Sequence, residues 1–225
     1  VGLGVGAVNG ILVTKGGIQP FITTLGTLSI TQGLTLIVSQ GKIVFIRHPL
    51  FQLIGSGRLA GIPVAFFILL AVYVAASALL RYTKLGVYAY AMGDNEQGAI
   101  LAGVNIDLYK FLLYVFSGAC MALSAVVLMS RISMVAASVA GVSLLLDAIA
   151  AIILGGTRIT GGYGTVIGTL VGVLLVGMIG NALNLLNVPA VAQDVFKGGV
   201  IIIALITEMA LTRRRTKTAP EVQHG

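Results

Sequence analysis

A succession of apolar runs, most of them long enough to cross a bilayer, constrains this chain more than any other feature. A membrane-crossing helix needs about 20 mostly apolar residues, and lipid admits only helices or closed barrels because every backbone polar group must be satisfied internally. Such runs cover about 21–40, 62–80, 110–130, 163–186 and 194–211, with a shorter one at 144–154. Residues 1–14 are too short to cross and read as the end of a span that begins upstream, so an N-terminal truncation is expected. The spacing therefore predicts an all-α, polytopic transmembrane helical bundle, a membrane domain over 1–212 followed by a basic tail over 213–225.

Composition agrees. The 225 residues are 57% hydrophobic and 9% charged, against about 25% charged in soluble domains. The formal charge of +7 would raise nucleic acid as a partner in a soluble chain. Here the basic residues stand between apolar runs and in the tail, as the positive-inside rule describes, so membrane lipid and not nucleic acid is the expected surrounding. The single cysteine, Cys120, lies within an apolar run and reads as a small hydrophobe. His48 and His224 have no companions for a metal, and no metal site or catalytic set is expected.

With the tail (Arg213, Arg214, Arg215, Lys217) placed in the cytoplasm, counting spans backwards puts Lys15, Arg81, Lys84, Lys110 and Arg158 on the same side. Lys42, Arg47, Arg58, Arg131 and Lys197 fall outside or near the outer ends, giving nine against five of the 14 basic residues. Residues 41–61 then form an external loop.

The cytoplasmic segment 81–110 reads RYTKLGVYAYAMGDNEQGAILAGVNIDLYK. Asp94 or Asn95 would N-cap a short amphipathic helix through Glu96, Ala99, Ile100 and Ala102, and Gly103 would stop it. A cytosolic helix held between two spans suits docking to a soluble partner, or it is an ordinary connection on the membrane surface.

Residues 155–165 read GGTRITGGYGT, with five glycines in eleven positions. No continuous span would be written this way. The expected form is a helix from about Leu144, a break, and a new helix near Tyr163. Broken helices point to a transport pathway, so Gly155, Gly156, Gly161 and Gly162 are candidate lining residues. A phosphate-binding loop is excluded by the missing Gly-Lys-Ser/Thr ending. Gly164, Gly168 and Gly172 recur every four residues and suit close helix packing.

Polar residues within the runs have two readings each. Asn181, Asn184 and Asn187 recur every three residues and either line a pathway or bond between helices. Thr23, Thr27, Thr31 and Thr35 form a ladder that either lines a pathway or bonds its own i−4 carbonyls. Asn181, Asn184, Thr27 and Thr31 are the candidate lining residues from these sets. Asp194 and Lys197 are spaced for a local ion pair.

Three blocks carry a family resemblance. Tyr90, Ala91, Gly93, Asn95, Glu96, Ala99, Ala102 and Gly103 are similar to the coupling-loop signature of the ribose-type sugar permeases of ABC importers. Asp94 stands where that family commonly has a second glycine, and Gly98 where it has alanine. Residues 147–188, from Asp147 through Gly155, Gly156, Thr157, Gly161, Gly162 and Gly164, resemble its second-half signature. Leu145 departs from a usual glutamate there, and no role is carried onto it. Residues 8–41 also look like the family. The resemblance implies a bacterial inner-membrane, multi-pass transport subunit with a cytoplasmic C-terminus, not an enzyme. Implied partners are a cytosolic ABC ATPase that binds ATP and magnesium, a periplasmic sugar-binding protein and a second permease copy, with no cofactor in this chain. Gly93, Asp94, Asn95, Glu96, Ala99, Ile100 and Gly103 would form the ATPase-coupling loop. The cargo would be a monosaccharide of the ribose, xylose or galactose type. The alternatives are a branched-chain amino acid permease, an ion-coupled secondary transporter, which usually needs buried acids that are scarce here, and a membrane scaffold that transports nothing.

Overall fold

The computed structural model describes residues 1–46, 48–135, 141–159, 161–189, 192–200, 202, 203 and 206. Helix dominates these residues, and the four strands are two residues each. The chain divides into two compact units, Val1–Val139 and Ala140–Gly225.

The first unit holds α1 (Gly2–Thr14), α2 (Pro20–Ser39), α3 (Pro49–Ser56), α4 (Val64–Tyr82), α5 (Lys84–Asp94), α6 (Glu96–Leu101) and α7 (Ile106–Ile132). Pro20 starts α2, where a missing N–H costs nothing. Gln40 ends it in the left-handed conformation at φ 52°, with the Gly41 N–H donating back to the Leu36 carbonyl. Helices α1 and α7 meet backbone to backbone. A Cβ on Gly6 would stand 2.5 Å from the Tyr114 carbonyl oxygen, and one on Gly10 would stand 2.9 Å from the Phe111 ring. Small residues permit that approach, and in lipid such packing holds helices together.

The expected external loop at 41–61 is partly built. α3 lies within it, β1 (Val44–Phe45) pairs with β4 (Met134–Val135), and β2 (Arg58–Leu59) pairs with β3 (Ile62–Pro63). The buried Ser130 hydroxyl donates to the Phe51 carbonyl, and Gly55 lies against the Ser130 carbonyl, so α3 seats on the end of α7. The turn between β2 and β3 has positive φ at both Ala60 and Gly61, the geometry of a type I′ hairpin. Alanine at the first of these positions hides the turn from a reading that looks for Asn-Gly.

The second unit holds α8 (Val142–Leu154), α9 (Val166–Leu185) and helical residues over 192–200. α8 and α9 form an antiparallel pair. Gly168 packs on the Gly155 carbonyl, and one turn on Gly172 packs on the Ala151 carbonyl. Ala150 and Ile153 are buried in this seam beside Leu146, Ile149 and Val176.

Among the described residues, four helices, α2, α4, α7 and α9, are long and apolar enough to cross a membrane. α1 and α8, at 13 residues each, extend about 20 Å and fall short of a hydrocarbon layer of about 30 Å. The expected last span, 194–211, is described only in part, and the basic tail at 213–225 lies outside the described residues.

Candidate functional site

The segment between α4 and α7 is more ordered than its sequence implies. α4 stops at Thr83, which is extended, and α5 follows directly. Helix α5 is a correction to the expected loop. Gly86 and Gly93 weaken its local preference by about 1 kcal/mol each, so the segment does not read as a helix. Packing supplies what propensity lacks. Met92 is buried with Ala99 and Ile106, and the Tyr88 and Tyr109 rings meet edge to face at 4.6 Å.

Of the two expected caps, Asn95 is the one used. Its backbone is extended, and Oδ1 accepts from the Gly98 N–H at 2.9 Å. Asp94 instead ends α5. α6 then runs Glu96–Leu101, and Gly103 takes φ 80° past its end. The Gly103 N–H donates to Ile100 and the Val104 N–H to Ala99, a closure that favours glycine at the left-handed position. The predicted start and stop signals both operate.

Side chains of α6 divide by face. Ala99 is buried toward α5 and α7. Ile100 is 56% exposed and Leu101 89% exposed. Glu96 reaches forward to α7, where its Oε1 accepts from Lys110 Nζ at 2.7 Å. Gly93, near the end of α5, completes the expected set. Sequence reasoning missed Lys110, which it placed at the start of the next span; α7 begins four residues earlier, at Ile106, capped by Asn105.

The glycine-broken segment has the expected form. Gly155 ends α8, Gly156 is left-handed at φ 78°, and the Thr157 N–H donates back to Ile152. Gly161 and Gly162 are also left-handed. The Arg158 N–H donates to the Tyr163 carbonyl, and the Arg158 guanidinium stands 5.6 Å over the Tyr163 ring. α9 starts at Val166 and not at Tyr163, because Thr165 is the residue that caps it: its hydroxyl oxygen accepts from the Gly168 N–H at 3.0 Å. Gly155 is thus committed to the α8–α9 contact, while Gly156, Gly161 and Gly162 shape the turn.

The other candidate lining residues fall in different units. Thr27 and Thr31 lie on α2 in the first unit, and their hydroxyls donate to the Thr23 and Thr27 carbonyls at 3.1 and 2.8 Å. Thr23 and Thr35 do the same, so the whole ladder bonds its own helix. In the second unit, Asn184 Oδ1 accepts from Gln193 Nε2 at 2.9 Å, and Asn181 is exposed. Asn187 is not on the helical face at all. It is left-handed at φ 54° and ends α9, with the Val188 N–H donating to Leu183.

Lys197 makes the expected local pair with Asp194 and has a second, closer partner that spacing did not suggest. Asp194 is 4.0 Å away, whereas Asp147 on α8 is at 2.8 Å. A lysine in an apolar run demands an acid, and that demand was the available signal. Sequence spacing points only to the neighbour on the same helix.

These elements define a class: a polytopic α-helical membrane protein with a capped interhelical foot and a broken helix, the latter recurrent in transport proteins. The chain belongs to the permease-component family described as branched-chain amino acid transport system permease, which matches residues 1–205. It is 38% identical over 219 residues to the ribose import permease of Haemophilus influenzae, covering 96% of this chain and 68% of the relative. The ribose import permease of Bacillus subtilis is 41% identical over 202 residues, covering 89% and 62%. The D-allose transport system permease of Escherichia coli is 35% identical over 213 residues, covering 95% and 65%. The chain spans about two thirds of the length of these curated relatives. No solved structure matches it.

Proposed function

We propose that this chain is the membrane-spanning permease subunit of an ATP-driven importer that passes a monosaccharide of the ribose, xylose or galactose type. A periplasmic binding protein delivers the sugar, and two permease chains form the pore. A cytosolic ATPase binds ATP and magnesium and docks on α6, with Gly93, Asp94, Asn95, Glu96, Ala99, Ile100 and Gly103 forming the coupling loop. The spans lie in a bacterial inner membrane with α6 and the basic tail in the cytoplasm.

One observation carries this reading: α6 is capped at both ends, fixed between α4 and α7, and presents Ile100 and Leu101 outward. Lipid-facing apolar side chains belong on spans, and two on the tip of a short interhelical helix fit a groove on a protein partner. Closure of the ATPases then moves α6, and rigid-body motion of the attached spans opens the pathway. Sugar selection rests largely with the binding protein; of the residues expected to line a pathway, Thr27, Thr31, Asn184 and Gly155 are engaged within their own units, which leaves Asn181, Gly156, Gly161 and Gly162 as the candidates.

The test uses the full-length parent, its candidate ATPase and its binding protein in proteoliposomes. ATP-dependent uptake of sugar is expected, and an Ile100→Glu, Leu101→Glu variant should lose both uptake and the co-purifying ATPase. Uptake driven by an ion gradient without an ATPase would overturn the reading. Uptake of a branched-chain amino acid and of no sugar would keep the importer and replace its cargo.

A further inference from the structure

Apart from the foot and the break, one polar cluster of the second unit has no part in the function proposed above. Lys197 Nζ stands 2.8 Å from Asp147 Oδ1 and donates to Oδ2 at 3.0 Å. The lysine side chain is only 15% exposed and that of Asp147 32%. Asp147 Oδ1 is buried and meets the ammonium by charge contact and not by an aligned hydrogen bond. One turn away, the Ser143 hydroxyl donates to Asp194 Oδ1 at 2.8 Å.

The spacing gives the cluster its form. Ser143 and Asp147 lie four apart on α8, and Asp194 and Lys197 lie three apart on the helical residues 192–200. Each pair therefore shares a helix face. Two rungs one turn apart join the two helices, and residue numbers rise together along both, so the helices run in parallel. A slide by one turn would break both rungs. It would also part a largely buried ammonium from its nearest carboxylate, leaving it only the more distant Asp194, which is more costly than breaking an exposed pair.

We infer that Asp147 and Lys197, braced by Ser143 and Asp194, are positioning residues that fasten half-helix α8 to the helical residues 192–200 as one body throughout transport. α8 is too short to cross alone and leads directly into the glycine break. The clasp fixes where that break sits, while motion occurs elsewhere. Asp147 and Lys197 act through the place of α8 and need not touch cargo. The transport readout rests on the permease reading above.

The experiment uses the full-length parent with its ATPase and binding protein in proteoliposomes, with Cys120 and every other cysteine of the parent replaced by alanine so that the introduced thiols are unique. Ser143→Cys and Asp194→Cys are joined by a short, cleavable bis-thiol cross-linker. Cross-linked transporter should keep at least about half of its uptake, a change well under the tenfold that marks a real energetic loss. A loss of about tenfold or more that is recovered on cleavage would show that the two helices must part, and would overturn the proposal. Asp147→Asn and Lys197→Met should each lower uptake by about tenfold, and Lys197→Arg and the exchanged pair Asp147→Lys, Lys197→Asp should restore much of it. Single variants that transport normally would also overturn it. If the wild type shows no ATP-dependent uptake, the permease reading fails and the clasp is judged on thermal unfolding of the chain in nanodiscs. There the exchanged pair must recover the melting temperature lost by each single variant, and failure to do so sinks the clasp.

Discussion

Lys110 Nζ donates to Glu96 Oε1 at 2.7 Å, tying the first turn of α6 to the start of α7. The pair sets the place of α6 without adding much stability. Both side chains are partly exposed, Glu96 more than Lys110, and exposed ion pairs contribute about 0–1 kcal/mol. Glu96→Gln should therefore shift the melting temperature of the purified membrane chain only slightly. Glu96→Arg sets two cations against each other, and hydrogen exchange at 96–101 should rise well above that of Glu96→Gln. Equal exchange in the two variants would mean that the pair does not position α6.

Asn95 carries the entry to α6. Its Oδ1 satisfies the Gly98 N–H, and its extended backbone separates α6 from α5. Asn95→Ala removes the cap and should cost about 1 kcal/mol, concentrated in α6 because the helix has only six residues. Asn95→Asp keeps an acceptor and adds charge at the favourable helix end, so it should be tolerated. Hydrogen exchange resolved to 96–101 is the measurement. Unchanged protection in Asn95→Ala would show that packing of Ala99 and Ile106 alone holds α6.

What the sequence revealed and what it hid follow from where the determining forces lie. Spans such as α2 and α4 were legible within a few residues because lipid imposes one long apolar pattern on each. The ends of α6 were legible because Asn95 and Gly103 act locally. α5 was not, since its glycines weaken it and Met92, Ile106 and the Tyr88–Tyr109 contact hold it from a distance. α3 was hidden for the same reason, as Ser130, distant in sequence, secures it. Asn187 shows the opposite error. A period of three placed it on a polar stripe, whereas the left-handed conformation that asparagine tolerates made it a helix stop. The closer partner of Lys197 lay fifty positions back in sequence, beyond any local spacing rule.

The α8–α9 seam predicts a sharp contrast among glycines of one helix. A side chain at Gly172 would meet the Ala151 carbonyl, and one at Gly168 would meet the Gly155 carbonyl. Backbone atoms cannot turn aside, so Gly168→Val or Gly172→Val should force the helices apart at a cost of about 1–3 kcal/mol. Gly177 and Gly180 face open space. Alanine there should be neutral or stabilise by up to about 1 kcal/mol through helix propensity. Melting temperatures of the four variants in nanodiscs test this. A Gly177→Ala loss equal to that of Gly172→Val would remove the seam as the explanation.

The polar candidates on α2 and α9 should separate by whether their hydrogen-bonding groups are already used. The Thr27 and Thr31 hydroxyls are spent on their own helix, and the Asn184 amide oxygen is spent on Gln193. Asn181 lies one turn before Asn184 and is exposed. A sugar hydroxyl crossing near α9 would meet an amide that both donates and accepts. Thr27→Val and Thr31→Val should leave uptake within about twofold, because a helix tolerates loss of a side-chain bond to its own carbonyl. Asn181→Leu should lower uptake by up to about tenfold, the span of one hydrogen bond worth about 0.5–1.5 kcal/mol. Asn184→Leu should instead lower the melting temperature, since Gln193 Nε2 then keeps only the Val188 carbonyl at 2.9 Å. Initial uptake rates and melting temperatures, measured on the same preparations, distinguish the two kinds of loss. If Thr31→Val lowered uptake tenfold at unchanged stability while Asn181→Leu did not, the pathway would run along α2, and the polar stripe of α9 would be purely a packing element.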